Sequence, residues 1–184
     1  MKIFKMTLLS LLLLFITSLN AGWDASSEAQ KAQQRAQQIN EAQVALSQFK
    51  NTNGKLKVFF DEAYGYAIFP NVGKAGILIG GAYGEGVVYQ KNQVIGYSSL
   101  TQFSLGFQLG GQTYSEIIFF KNKESLDRFT QSNFELGAQV SAVAITSGVS
   151  FDADYDNGIA IFTLVKGGLM FEAAVGGQKF NYEE

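Results

Sequence analysis

The residue types most often used in catalysis are scarce in this chain of 184 residues, which contains no histidine and no cysteine. Their absence excludes a histidine general base, a thiolate nucleophile, a disulfide and the zinc sites that these residues build. The Gly-x-Ser-x-Gly pattern that marks many serine nucleophiles is also missing. The sequence therefore predicts a protein with no enzymatic activity, no cofactor and no bound metal.

Three glutamates lie within apolar segments and are the candidates for acid–base chemistry: Glu85, Glu116 and Glu172. A carboxyl group buried among apolar side chains has a raised pKa, which is the basis of many acid–base pairs. Isolated acids in strands, however, more often point to solvent. We therefore expect these three side chains to face water and to take no part in catalysis.

Three alternating aspartates, Asp152, Asp154 and Asp156, are similar to the start of a calcium-binding loop. The EF-hand pattern requires glycine at its sixth position and glutamate at its twelfth. Asn157 and Thr163 occupy those positions here. A solvated hairpin therefore explains the aspartates better than a calcium site does.

A short basic and aromatic cluster is the candidate lipid-binding site. Lys55 and Lys57 stand beside Phe59 and Phe60, and Lys74 follows in a nearby turn. Lysines can hold an anionic headgroup while aromatic side chains enter the membrane interface. The alternative is a helix whose two phenylalanines fill the core and whose lysines face water.

The N-terminus has the parts of a secretory signal peptide. Lys2 and Lys5 precede an apolar run at residues 6–19, and the small residue Ala21 follows. The run is shorter than the roughly 20 residues that a membrane-spanning helix needs. We therefore expect residues 1–21 to be cleaved and the mature protein to lie in the periplasm or the cell envelope.

The charge of the mature chain disfavours a nucleic-acid partner. Without the two lysines of the signal peptide, 12 basic and 16 acidic side chains remain. No basic stripe offsets this net negative charge, so long-range attraction to a phosphate backbone is absent.

An amphipathic N-terminal helix is predicted over residues 22–50, ahead of a domain at residues 51–184. Its apolar stripe is narrow and rich in alanine, and it widens only near Leu46 and Phe49. Such a stripe is typical of a helix that packs on its own domain or on a partner protein, because a membrane-surface helix carries larger apolar groups and more basic residues.

The remainder of the chain predicts an α+β fold with a mostly antiparallel, strongly bent sheet, sandwich or barrel-like, and two short helices. Residues 55–63 and 122–131 have helical spacing, and Asn157-Gly158 is a hairpin turn signal. Residues 77–79 and 117–120 are apolar on both faces, as in a strand covered on each side. The predicted strands are 65–70, 75–90, 93–100, 101–112, 113–121, 134–149, 158–165 and 167–180.

Several motifs together resemble the SYLF domain family over roughly residues 45–180. The most specific is the run at residues 67–76, Ala-Ile-Phe-Pro-Asn-Val-Gly-Lys-Ala-Gly, and the glycine-rich segments at 80–86 and 106–112 follow in the family's order. The resemblance implies a lipid-binding module. Eukaryotic members bind phosphoinositides, yeast relatives also bind and bundle actin, and bacterial members are exported.

The sequence thus predicts an exported, non-enzymatic protein that binds anionic phospholipid or a membrane surface. Apolar or aromatic groups would insert partially while Lys55, Lys57 and Lys74 steer the headgroup. The alternative is a scaffolding protein of the periplasm that binds another protein through residues 24–50.

Overall fold

The computed structural model describes residues 25–131, 133–137, 140, 142–146, 153–168 and 175–184. The predicted signal peptide lies outside the described residues, as do Asp152 and Glu172. None of the helices within the described ranges is long and apolar enough to span a membrane.

The first helix, α1, comprises Ala25–Thr52 and extends over two compact units of the chain, residues 1–36 and 37–184. In the first unit the described side chains of α1 are almost all exposed to solvent. In the second unit the larger apolar residues Leu46 and Phe49 are buried in the core. The widening of the apolar stripe thus marks the part of the helix that packs.

Two short helices lie where the sequence predicts them: α2 at Leu56–Glu62 and α3 at Lys123–Thr130. A capping box begins α3, because the Asn122 side chain accepts a hydrogen bond from the Ser125 backbone and the Ser125 hydroxyl accepts one from the Asn122 backbone. No side-chain cap begins α2.

The sheet is mostly antiparallel and is accompanied by helices, which confirms the predicted α+β fold class. The described strands follow the spatial order β3-β6-β2-β5-β4, and β1 pairs with β2. Only the short pairing of β4 with β5 is parallel among the described strands. The strands are β1 Gly65–Gln90, β2 Gln93–Phe120, β3 Phe134–Glu135, β4 Val143–Ala144, β5 Ile159–Gly168 and β6 Gln178–Glu183.

Residues 65–120 form fewer and longer strands than the sequence predicts. They make up β1 and β2, joined by a tight turn in which Lys91 and Asn92 have φ values of 49° and 64°. The pairing register shifts between Phe69 and Val72, around Pro70. A bulge bends a strand without ending it. The proline and glycine residues in this region therefore lie at bends rather than at strand ends.

The sheet curls sharply on itself. A side-chain carbon added at Gly86 would lie 2.6 Å from the Phe69 ring, so only glycine permits this approach within β1. In the ladder Gln178 of β6 lies opposite Gln102, yet its side chain bonds to Glu116, fourteen positions further along β2. The face that carries Gln178 is therefore the concave one.

Each face of the sheet has its own apolar core. The convex core includes Ile117 and Phe119 and packs against α1 and α2, whereas the concave core includes Ile118 and Phe120 and packs against Leu126 and Phe129 of α3. All four residues at 117–120 are fully buried, which confirms the prediction of a strand covered on both faces.

Candidate functional site

A surface cleft of about 310 Å³ lies along one side of α2, and we call it the α2 cleft. Lys55, Val58, Phe59 and Glu62 share one face of the helix, because residues three, four and seven apart are neighbours on a helix. Across the cleft lie Lys121, Ala153, Asp154 and Tyr155.

The four α2-region residues of the predicted lipid site are placed in different environments. Lys55 is exposed on the cleft, and Lys57 is exposed and forms an ion pair with Asp61 one turn later. Phe59 is buried, with its ring centroid 4.7 Å from that of Phe162 in an edge-on contact.

Phe60 is half-buried and lies between the core and the surface. Its ring makes an edge-on contact with Phe119 at 4.9 Å, and the Lys50 ammonium lies over the Phe60 ring, 4.8 Å from its centroid. Phe59 and Phe60 therefore belong to the convex core, while Lys55 and Lys57 face water.

Lys74, the fifth predicted residue, is not part of the α2 cleft. It is only 3% exposed, and in the ladder it lies opposite Gln112 of β2. Because Val72, two residues earlier in the same strand, belongs to the concave core, the Lys74 side chain lies on the concave face. The structure thus brings Lys55 and Lys57 together with Phe59 and Phe60 on α2 and separates Lys74 from them.

Two cleft residues, Lys121 and Tyr155, have no signal in the sequence. The backbone bond from Tyr64 to Phe120 brings the end of β2 beside the end of α2, and with it Lys121. The Lys121 ammonium lies 5.5 Å from the centroid of the Tyr155 ring, which in turn packs on Phe59 at 5.3 Å.

The Tyr155 hydroxyl is buried and has no hydrogen-bond partner among the described residues. Burial, with the negative charges of Glu62 and Asp154 nearby, raises the pKa of Tyr155 to about 12. The phenol therefore keeps its proton and can donate it to an acceptor. The cleft thus combines two ammonium groups and a neutral donor with the two carboxylates of Glu62 and Asp154.

The three glutamates of the apolar segments differ from one another. Glu85 is half-buried and accepts hydrogen bonds from the Gln38 amide at 2.6 Å and the Tyr83 hydroxyl at 2.9 Å. Glu116 is completely buried, and burial raises its pKa to about 7. The expectation that Glu116 faces water is therefore wrong, because its neighbours on the concave face cover it. Glu172 lies outside the described residues.

The aspartates near residue 155 form a hairpin. Asp156 and Ile159 pair across the turn, and Asn157 and Gly158 adopt φ values of 50° and 80°, as the turn signal predicts. Within the ranges that the structure describes, no three acidic side chains come close enough to hold a metal ion.

The curled antiparallel sheet and its helices define an α+β domain. Comparison with known proteins gives the family: the model of the Ysc84 family, described as Las17-binding protein actin regulator, matches residues 101–183. Residues 101–183 thus match the Ysc84, or SYLF, domain, which confirms the resemblance seen in the motifs.

A curated relative extends the match beyond the family model. The chain is 31% identical over 140 residues to beta cell expansion factor A of Aeromonas veronii. The aligned region covers 76% of this chain and 53% of the relative, so the chain spans about half the length of that protein.

Proposed function

We propose that this protein binds phospholipid through the α2 cleft, as an exported and non-enzymatic module of the cell envelope. The observation that carries the proposal is the buried, unpartnered Tyr155 hydroxyl in the same cleft as Lys55 and Lys121. A phosphate oxygen would accept from the hydroxyl, and the two ammonium groups would supply charge-assisted hydrogen bonds.

The apolar contact would come from Val58 rather than from the two phenylalanines. Val58 lies on the cleft face of α2 and is 54% exposed, whereas Phe59 is 7% exposed. Phe59 and Tyr155 would form the floor on which the headgroup rests. This arrangement retains the predicted role of Lys55 and reduces that of Lys57, whose ammonium already pairs with Asp61.

Vesicle flotation tests the proposal with two charge reversals, Lys55→Glu and Lys121→Glu. Each lysine near an anionic surface contributes about 1 kcal/mol, so we expect each reversal to weaken binding to phosphatidylglycerol vesicles by at least about fivefold. Lys123→Glu is the matched control, because it changes the net charge equally at an exposed lysine outside the cleft. Equal effects of all three reversals would contradict the assignment of the cleft.

Tyr155→Phe tests the hydroxyl itself. The substitution keeps the ring that contacts Phe59 and removes the donor, so we expect a stable protein with binding to phosphatidylglycerol reduced about fivefold. Unchanged binding would remove the hydroxyl from the site. No association of the unaltered protein with phosphatidylglycerol or phosphatidylcholine vesicles at low salt would overturn the proposed function as a whole.

Export is part of the proposal and has its own test. Cleavage after Ala21 would give a mature N-terminus at Gly22. N-terminal sequencing of protein recovered from the periplasmic fraction is expected to begin there. Recovery of the uncleaved chain from the cytoplasm would contradict export.

Protein binding through the first helix is a second candidate function. The described α1 side chains of residues 26–36 are almost all exposed, and the family's description names a Las17-binding protein. A partner helix could pack on this segment. If light scattering shows a monomer and a pull-down loses no partner when residues 25–36 are deleted, this candidate fails.

A further inference from the structure

A second cavity, of about 470 Å³, lies beside the outer strands of the sheet, and we call it the seam cleft. Residues 134–137, from β3 and the segment after it, line one part of the cleft. Val143 of β4 and residues 159–162 of β5 line another part. Because β3 and β4 are at opposite ends of the described strand order, the seam cleft lies where the curl of the sheet brings its two ends together.

The seam cleft lies at the edge of β5 rather than over one of its faces. Ile161 belongs to the concave core and Phe162 to the convex core, and both line the cleft. Successive strand residues point to opposite faces, so a cavity that contacts both lies at the edge of the strand. Within the described residues β4 pairs with β5 only at Phe162 and Thr163, so it does not cover the edge at Ile161.

The floor of the seam cleft is apolar. Leu136, Ile161 and Phe162 are at most 5% exposed, and half-buried apolar side chains surround them. The volume and lining of the cleft are in the range of small-molecule sites, where burial of an apolar ligand group is favourable. The surrounding residues are Phe134, Val140, Val143 and Ile159.

The rim of the seam cleft carries more negative than positive charge. Its three carboxylates and one guanidinium belong to exposed residues. The guanidinium of Arg128 donates a hydrogen bond to the Asn157 carbonyl at 2.7 Å, and the Glu135 carboxylate lies 3.5 Å from the Lys179 ammonium outside the cleft. The charged lining residues are Arg128, Glu135, Asp154 and Asp156.

The two aspartates are the carboxylates most available to a ligand. Oδ1 of Asp154 accepts a hydrogen bond from the Tyr155 backbone at 2.7 Å, and Oδ1 of Asp156 accepts one from the Asn157 side chain at 3.0 Å. The salt bridges within the described ranges involve neither aspartate. Asp154 also borders the α2 cleft, whereas Asp156 lines only the seam cleft of the two.

We propose that the seam cleft binds a single-chain amphiphile with a cationic head, an alkylammonium ion. The chain would lie on the apolar floor, and the ammonium group would form charge-assisted hydrogen bonds with Asp156 and Asp154 at the rim. An anionic head would have only Arg128 to attract it and would face three carboxylates. An uncharged head would lack the attraction between opposite charges.

Equilibrium dialysis of the purified protein tests the proposal with four probes: octylammonium, hexylammonium, octanol and octanoate. We expect saturable binding of octylammonium, about threefold tighter than that of octanol, because an exposed ion pair contributes modestly. Loss of two methylene groups should make hexylammonium bind about tenfold more weakly. Octanoate should bind most weakly of the three eight-carbon probes.

A charge variant locates the head of the ligand. Asp156→Asn should weaken the binding of octylammonium about threefold and leave that of octanol unchanged. Asp61→Asn is the matched control, because Asp61 is an exposed aspartate of α2 outside the cleft.

A space-filling variant locates the chain of the ligand. A side-chain carbon at Gly137 would have the Val140 side chain, at 4.0 Å, as its nearest neighbour, so a larger residue is tolerated there and projects beside the lining of the cleft. Gly137→Leu should therefore weaken the binding of octylammonium at least about tenfold. If Gly137→Leu does not fold, Val140→Phe replaces it.

Four results would overturn the proposal: no saturable binding of octylammonium, binding of octanoate at least as tight as that of octylammonium, equal affinities in Asp156→Asn and Asp61→Asn, or unchanged affinity in the space-filling variant. The vesicle test depends on Lys55 and Lys121, which do not line the seam cleft. Either proposal can therefore fail without the other.

Discussion

The two faces of β2 differ in how completely their buried side chains are packed or hydrogen-bonded. On the convex face, Phe119 packs against the rings of Phe59, Phe60, Tyr66 and Phe162 at centroid distances of 4.9–6.1 Å. On the concave face, three residues earlier in the strand, Glu116 is equally buried but one of its oxygens lacks a partner within the described residues. The same strand thus supports a filled apolar core on one side and an incompletely paired polar group on the other.

This difference indicates a division of roles between the faces. Aromatic rings in mutual contact stabilise a fold without requiring any ligand. Buried polar atoms without partners lower stability, because their desolvation is not compensated. We therefore expect loss of a buried ring such as Phe119 to alter mainly the free energy of unfolding, and changes at Glu116 to alter the pH dependence of that free energy.

Truncation of Phe119 gives the largest expected effect. Phe119→Ala removes a fully buried ring from the convex core, so the free energy of unfolding should fall by about 3–5 kcal/mol. Urea denaturation measures the change. Phe103→Ala is the control, because Phe103 is 83% exposed and its loss should change stability by less than about 0.5 kcal/mol. Similar losses of unfolding free energy in both variants would contradict the stabilising role assigned to the convex core.

Neutralising Glu116 gives the second largest effect, and it depends on pH. The pKa of Glu116 is about 7 in the folded protein against 4.5 in the unfolded chain. Between these values the unfolded state releases the proton while the folded state keeps it, so stability falls as pH rises towards 7. Glu116→Gln should therefore stabilise the protein at pH 8 by on the order of 3 kcal/mol and change little at pH 4.

The measurement is urea denaturation of Glu116→Gln and the unaltered protein at pH 4, 6 and 8. Glu183→Gln, at an exposed position of β6, is the control and should leave the pH profile unchanged. If the unfolding free energies of Glu116→Gln and the unaltered protein changed in parallel with pH, Glu116 would not be the group that titrates.

Loss of the α3 cap gives the smallest effect. The Asn122 side chain holds the first turn of the helix that covers the concave core, so Asn122→Ala should cost about 1 kcal/mol. Lys55→Ala is the matched change at the start of α2, where no side chain caps the helix, and should cost less than about 0.5 kcal/mol. Thermal unfolding compares the two variants.

Local sequence signals account for the helices and for the Asn157-Gly158 turn, because caps, helical spacing and positive φ depend on neighbouring residues. The covered strand at residues 117–120 follows from its composition alone. The strand ends cannot be predicted in the same way. A bulge and the end of a strand have similar local sequences, with proline and glycine residues, as around Pro70.

The candidate sites were predicted only in part, for a physical reason. Lys55 and Lys57 stand out in the sequence and do face water. Lys121 and Tyr155, in contrast, reach the α2 cleft through strand pairing between distant segments. Burial of Glu116 likewise depends on Gln178, 62 positions further along the chain, which no local pattern indicates.

The position of β6 has a consequence for the order in which the molecule is made. Residues 178–183 pair with residues 97–102, and the described pairing of β3 is with β6. A ribosome must therefore synthesise the chain through residue 183 before this side of the sheet can close. Until then the concave surface stays exposed to water and to chaperones. A chain destined for translocation would therefore remain incompletely folded, and able to cross a membrane pore, for that interval.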